Sequence, residues 1–300
     1  MNNNLFPSVP TVSIGLFIYN AEKTLRAAID SILDQSFKDF ELVISDNAST
    51  DDTEKICREY AQKDSRIRYI RQQTNQGASR NLQIVFDEAR GEYFMWAAHD
   101  DIRSLDFLEL NLKFLQSHPD YVASTSPVMS EGNAPDPIGM ADISLDQETG
   151  EERFLACLVT WRACGRFYSL MRRQPIETCK ALRSEGYVGS DTTLILELAM
   201  KGKFKRLEQG YVVLGRGGIS GSGNLFRAYR KSIRHWLFPM YELGADVWAQ
   251  SASFSLRSRI WIAQMIATMN LMTFLHQFKL EIVWWIKRKR AKLGLDRQGR

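Results

Sequence analysis

Asp100 and Asp101 stand side by side after an apolar run, residues 93–98, with His99 just before them. Adjacent carboxylates at a strand end offer hard oxygen donors of the kind that Mg²⁺ or Mn²⁺ takes; the same pair could instead only cap a turn. Asp46 begins a polar cluster that follows a second apolar run, residues 40–44. Its carboxylate can accept a hydrogen bond from a ligand N–H, or shape a turn of Asp, Asn and Ser. Arg80 carries a guanidinium suited to phosphate oxygens, or lies on a helix surface. Asp191 precedes a helical run, where a carboxylate takes a proton or caps the helix.

The elements that position these residues follow from periodicity. Residues 12–18, 40–44, 67–70 and 93–98 are short apolar runs and read as strands. Leu25, Ala28, Ile29, Ile32 and Leu33 share one helix face, with Asn20 as the expected N-cap. Further helices are expected over 53–61, 78–89, 105–115 and 192–200, the last stopped by Gly202. Residues 130–150 read as a long surface loop with order resuming by Phe154, 207–214 as a strand, and 216–224, with four glycines, as a flexible segment. Alternating strands and helices imply an α/β fold with a mostly parallel sheet flanked by helices. Ligands of such sheets sit beyond the carboxyl ends of the strands. That rule selects 19–20, 45–52 and 99–101, which are the polar strand ends.

Composition narrows the class. Four cysteines without a C-x-x-C pair argue against structural zinc and against a disulfide-stapled fold, and imply reduced thiols. Residues 1–9 lack the basic and apolar regions of a secretory signal. The chain carries +4, but residues 287–300 alone carry +6, which leaves the other 286 residues at −2. A basic body that tracks nucleic acid is not indicated.

These pieces, in their order and spacing, resemble glycosyltransferase family 2 and its GT-A fold over residues 10–222. The pieces are Val12-Ser13-Ile14 with Tyr19-Asn20, Asp46-Asn47-Ala48-Ser49-Thr50-Asp51, Asn75-Gln76-Gly77 with Arg80-Asn81, and His99-Asp100-Asp101. Phe167 to Arg173, and Asp191 followed by Leu196 to Lys203, extend the likeness. The sequence departs from the family in having Phe17 where Pro is frequent, and Gly217-Gly218 where a His is frequent. The resemblance implies a nucleotide-sugar donor, expected to be UDP-linked, with contacts from Ile18, Tyr19, Asp46, Arg80 and Asp100. It also implies a divalent cation on Asp101 and a general base at Asp191, with Glu185 as the substitute. Transfer to a hydroxyl of a glycan or lipid-linked acceptor would then invert the anomeric centre, as expected in cell-surface polysaccharide or glycolipid synthesis. A non-catalytic relative that binds a sugar nucleotide or a partner is the competing reading. A nucleotidyltransferase is disfavoured, because residues 17–23 hold no glycine to cradle a triphosphate.

Residues 223–300 are expected to form a helical extension to a 1–222 domain. Residues 260–278 carry no formal charge and approach the length of a membrane span, but five amide or hydroxyl side chains interrupt them. Trp284 and Trp285 precede Lys287-Arg288-Lys289-Arg290. That pairing suits the interface of an anionic membrane, so a cytoplasmic enzyme peripheral to the membrane is expected. Helices packed on the core, with a solvated tail, are the alternative.

Overall fold

The computed structural model describes residues 9–161, 163–215 and 229–292. Residues 1–8, the glycine-rich 216–224 and the end of the basic tail, 293–300, lie outside the described residues, so the expectations for them are not addressed by the fold. The described residues fall into two units, 9–186 with 190–215, and 187–189 with 229–292.

The first unit is built on a seven-stranded sheet. β1 (Val12–Ile18), β2 (Phe40–Asp46), β3 (Ile67–Arg71) and β4 (Tyr93–Ala97) pair in parallel, in the order β3-β2-β1-β4. Three crossover helices join them: α1 (Leu25–Leu33), α2 (Thr53–Lys63) and α3 (Ala78–Asp87). Every residue of β2 and of β4 is buried, as central parallel strands covered on both faces require. The sheet then changes direction. β8 (Leu170–Arg172) runs antiparallel between β4 and β6 (Tyr121–Thr125), and β9 (Lys203–Arg206) is parallel to β6. Short strands β5 (Ile102–Arg103), β7 (Val128–Ser130) and β10 (Val212–Leu214) form a second sheet in the order β5-β10-β7. Helices α4 (Phe107–Ser117), α5 (Gly150–Val159), α6 (Arg173–Glu177) and α7 (Ser190–Lys201) complete the unit.

Four local expectations are corrected. Asn20 does not cap α1: the helix begins behind Thr24. Asn20 instead turns the chain at φ 49°, and its Oδ1 accepts the Thr50 N–H at 2.9 Å. Residues 207–214 are not one strand, because Gly210, at φ 73°, separates β9 from β10. Lys203-Phe204-Lys205-Arg206 is too polar to announce β9. Asp191 lies inside the first turn of α7 rather than before it. Residues 130–150 are not wholly surface: the buried Asp142 accepts the Val128 N–H at 2.7 Å and the Arg206 Nε–H at 3.1 Å.

A buried staple fixes the edge opposite the site. Glu41 of β2 accepts Ser13 Oγ–H at 2.7 Å, the Arg90 N–H at 2.9 Å and the Arg90 Nη2–H at 2.8 Å. Burial pushes this carboxyl up, but the Arg90 and Ser13 hydrogen bonds outweigh it and hold it below its usual value. The staple therefore stabilises the fold above the ordinary glutamate range and is lost as pH falls. Glu41→Ala is expected to cost roughly 1–2 kcal/mol at pH 7, because it leaves the buried Ser13 hydroxyl and the Arg90 N–H without their acceptor, while the Arg90 guanidinium is itself exposed. Urea unfolding should show this loss shrinking below pH 4; an equal loss at every pH would refute the account.

The second unit comprises α8 (Ile233–Leu237), α9 (Tyr241–Gln250) and the 37-residue α10 (Leu256–Lys292). At Gly244 a side chain would stand 2.8 Å from Ile266 Cγ2, so the glycine permits close approach of α9 and α10. Arg230 ties α10 by donating to Gln277 Oε1 at 2.8 Å, and it pairs with Glu281 at 3.3 Å. Among the described residues no helix is long and apolar enough to cross a membrane.

Candidate functional site

The carboxyl ends of β1, β2 and β4 carry the polar loops. Asn81 of α3 locks two of these ends, since its Nδ2 donates to Ile18 O at 3.2 Å and to Ser45 O at 2.9 Å. The loop after β2 is folded around Asp46. One oxygen accepts the Ser49 N–H at 2.9 Å; the other accepts the Tyr69 hydroxyl at 2.8 Å and lies 3.3 Å from Arg71 Nη1. Asp46 is fully buried, so in this conformation it shapes the loop and both oxygens are engaged by the protein. Asn47 closes the neighbouring turn by accepting the Gln76 N–H at 2.8 Å and donating to Asn75 Oδ1 at 2.9 Å. Ile18 is buried, and Tyr19 is exposed at the same strand end. Arg80 lies half-exposed on α3, donating to Gln83 Oε1 at 3.2 Å and standing 3.9 Å from Asp87.

β4 delivers His99, Asp100 and Asp101 to the next strand end. His99 Nδ1 lies 2.9 Å from Thr24 Oγ1 and 4.0 Å from Asp100 Oδ1. Asp101 is 2% exposed. Its Oδ1 accepts the Gly215 N–H at 3.3 Å, while Oδ2 has no protein partner. Burial pushes the Asp101 carboxyl up to about 6, with Arg103 opposing and Asp100 adding to the rise. Arg103 is 3% exposed and donates to Trp96 O at 3.2 Å, while its Nε and Nη1 lack hydrogen-bond partners. Burial pulls Arg103 down, and the adjacent Asp101 and Tyr168 counter that.

A 3-10 turn, Gly165–Tyr168, links this corner to Asp191. Gly165 is required there, because a Cβ would meet Met140 O at 2.4 Å. Phe167 stacks on Trp96 of β4 with ring centroids 4.8 Å apart, which fixes the turn against the strand that carries the acids. The Tyr168 hydroxyl is held far above its ordinary range, first by burial and then by Asp101, Asp191, Cys164 and Asp100. The charges of Asp100, Asp101 and Asp191 thus all bear on this one hydroxyl. Asp191 accepts the Thr192 N–H at 2.8 Å and borders a cavity of about 50 Å³ with Ser79, Gln83 and Phe167. Burial raises the Asp191 carboxyl, against hydrogen bonds from Thr192 and Cys164 that lower it.

Arg80 is not among the partners of these acids, and Glu185 is exposed. Arg103 and Cys164 join the site without a motif of their own, whereas Tyr168 lies in the Phe167–Arg173 segment of the family likeness but is not singled out by it. The one legible signal is an arginine set between Ile102 and the apolar face of α4, two residues after Asp101. Among the described residues no group of three or more His, Cys, Asp or Glu side chains could hold a metal ion. The unpartnered Asp101 oxygen nevertheless fits a hard cation whose other ligands come from a bound molecule and water.

A mixed sheet whose parallel half ends in polar loops, with acids at the β4 end, is the GT-A architecture. The model of the family described as "Glycosyl transferase family 2" matches residues 13–179, and the chain belongs to that family. Relatives include the putative glycosyltransferase EpsE of Bacillus subtilis, 40% identical over 115 residues, which are 38% of this chain and 41% of EpsE. The chain thus matches less than half the length of that relative. The GalNAc(5)-diNAcBac-PP-undecaprenol beta-1,3-glucosyltransferase of Campylobacter jejuni is 26% identical over 74% of this chain and 71% of its own. Among solved structures, S. aureus TarS 1-349 in complex with UDP-GlcNAc superposes with TM-score 0.64 at 18% identity, over 88% of this chain and 71% of that one. The mannosyltransferase PcManGT of Pyrobaculum calidifontis, in complex with GDP-Man and Mn²⁺, gives TM-score 0.54 at 16% identity, over 92% of this chain and 87% of that one. Both likenesses are of fold.

Proposed function

We propose that the chain transfers a sugar from a UDP-linked donor to a hydroxyl of a glycan or lipid-linked acceptor, with inversion. It would act in cell-surface polysaccharide or glycolipid synthesis at the cytoplasmic face of a membrane. The observation that carries this reading is Asp101, buried with one oxygen unpartnered, with Asp191 a second acid whose charge, like that of Asp101, bears on the Tyr168 hydroxyl. Two carboxylates from distant segments thus stand ready for different tasks. Asp191, raised above the ordinary carboxylate range, is suited to take the proton of the acceptor hydroxyl. The acceptor oxygen bonds to the anomeric carbon as the bond to the diphosphate oxygen breaks. When bound on Asp101, a divalent cation would supply Lewis-acid stabilisation of the departing diphosphate. Asp100, Ile18 and Tyr19 line the donor side, and Asp46 and Asn81 hold its loops in shape. The TarS complexes with UDP and UDP-GlcNAc support the donor class. The PcManGT complex with Mn²⁺ supports the cation. The name of the Campylobacter relative supports a lipid-linked acceptor. The exposed Trp284 and Trp285 beside Arg288 and Lys289 support the membrane surface.

Calorimetric titration with UDP, GDP, CDP and dTDP, each with Mn²⁺ and with chelator, tests the donor site. UDP should bind with Mn²⁺ and lose at least tenfold in affinity with chelator or in Asp101→Ala, about 1.4 kcal/mol or more. Absence of binding by all four nucleotides would overturn the donor-site assignment. Binding without turnover would favour the non-catalytic reading.

A further inference from the structure

The second unit carries an open apolar cleft of about 830 Å³ between α9 and the first half of α10, with Leu237 of α8 in its lining. Gly244, Ala245, Ala263 and Ala267 line it with small side chains, and Tyr241 and Trp248 rise beside them. Its one amide, Asn270, is satisfied within the fold: Nδ2 donates to Ile266 O at 3.0 Å, and Oδ1 accepts the Met240 N–H at 3.1 Å. Leu237, Phe238, Ile266, Leu271 and Phe274 complete a mostly apolar lining, which suits a hydrocarbon chain.

Its aromatic walls are charged from outside. Arg234 Cζ lies 4.3 Å from the Tyr241 ring centroid, and Arg259 Cζ lies 4.2 Å from that of Trp248. The far end of α10 repeats this chemistry, with Arg288 Cζ 4.6 Å from Trp284 and Lys289 Nζ 4.2 Å from Trp285. Between the two, Leu271, Leu275 and Phe278 are exposed. Aromatic rings bearing cations at the margins of exposed apolar surface match the headgroup level of an anionic bilayer. A second copy of the chain fits less well. A two-fold contact through this cleft would bring the rim guanidinium groups of both copies together.

We propose that this cleft takes one hydrocarbon tail of an anionic, phosphate-headed membrane lipid, with Arg234 and Arg259 at the headgroup. The proposal rests on the membrane-surface reading above and gives it a defined binding site.

The full chain should float with vesicles of phosphatidylcholine and phosphatidylglycerol and stay behind with phosphatidylcholine alone. Ala263→Trp and Ala267→Trp fill the cleft from exposed helix positions, and circular dichroism would confirm that they fold. Each should raise the apparent Kd for the anionic vesicles at least tenfold. Monomeric lysophosphatidylglycerol brominated on its acyl chain should quench wild-type fluorescence more than that of Trp248→Phe. Equal quenching in those two proteins, or wild-type vesicle affinity in the filled variants, would overturn the cleft site while leaving surface binding intact. Quenching at Trp248 without flotation would keep the cleft and overturn the membrane surface. A dimer that the lysolipid does not dissociate, and that the filled variants abolish, would assign the cleft to a second copy and overturn the proposal.

Discussion

Asp101→Asn should transfer no sugar and yet melt later than the wild type in chelator at pH 7.5. Burial raises Asp101 from an ordinary 3.8 to about 6, so the fold favours its neutral form. A raised acid helps stability fully below its unfolded pKa, and that help is lost as pH rises through its folded pKa. Above pH 6 the wild type thus carries a destabilising charge that the amide lacks. Two pKa units correspond to about 3 kcal/mol, and to a rise in Tm of roughly 6–12 °C for a domain of this size. At pH 4 the difference should nearly vanish. Scanning calorimetry at both pH values checks this; a variant less stable at pH 7.5, or equally stabilised at pH 4, would contradict it. Added UDP and Mn²⁺ should reverse the order by stabilising only the wild type, because ligand that binds the native state alone raises Tm.

Asp191→Asn should bind UDP and Mn²⁺ as the wild type does but lose about 10²–10⁴ in kcat, the usual worth of a positioned general base. The affinity is kept because Asp191 stands in the first turn of α7 and not in the loops after β1, β2 and β4. In the wild type, kcat/KM should rise with pH through a value above the ordinary carboxylate range, since burial raises Asp191. That limb should be missing in the variant. Matching kcat values in the two proteins would remove Asp191 from the proton transfer.

The parallel half of the sheet was legible because strands buried on both faces are written as unbroken apolar runs. β1 coincides with its expected bounds, and β2, β3 and β4 differ by two residues or fewer. Strands of two to four residues leave no such run. β5, β8 and β9 are fixed by their neighbours rather than by their own composition. The site shows the same division. Asp100 and Asp101 were legible as candidates because they follow a recognisable strand, and Asp191 because it opens a recognisable helix. The closed state of Asp46 could not, since Tyr69 and Arg71 reach it from β3 only once β2 and β3 are paired. Arg103 and Tyr168 gain their meaning from burial, which one sequence does not reveal.

The antiparallel insertion of β8 has a consequence for synthesis. β4 pairs Tyr93 and Phe94 with Arg172 and Met171, so its outer edge stays open until the chain has lengthened by some 78 residues. At a ribosomal rate of 5–20 residues per second that interval is about 4–16 s. During it β1 to β4 can already be assembled, presenting the polar loops at their carboxyl ends and a bare, hydrophobic strand edge of the kind that seeks foreign partners. The same late strand is preceded by Tyr168 and followed by Asp191. Closing that vulnerable edge and completing the acid cluster are thus one long-range event, the type of contact that forms most slowly. A nascent chain would gain its cluster of buried acids only when it becomes safe from aggregation.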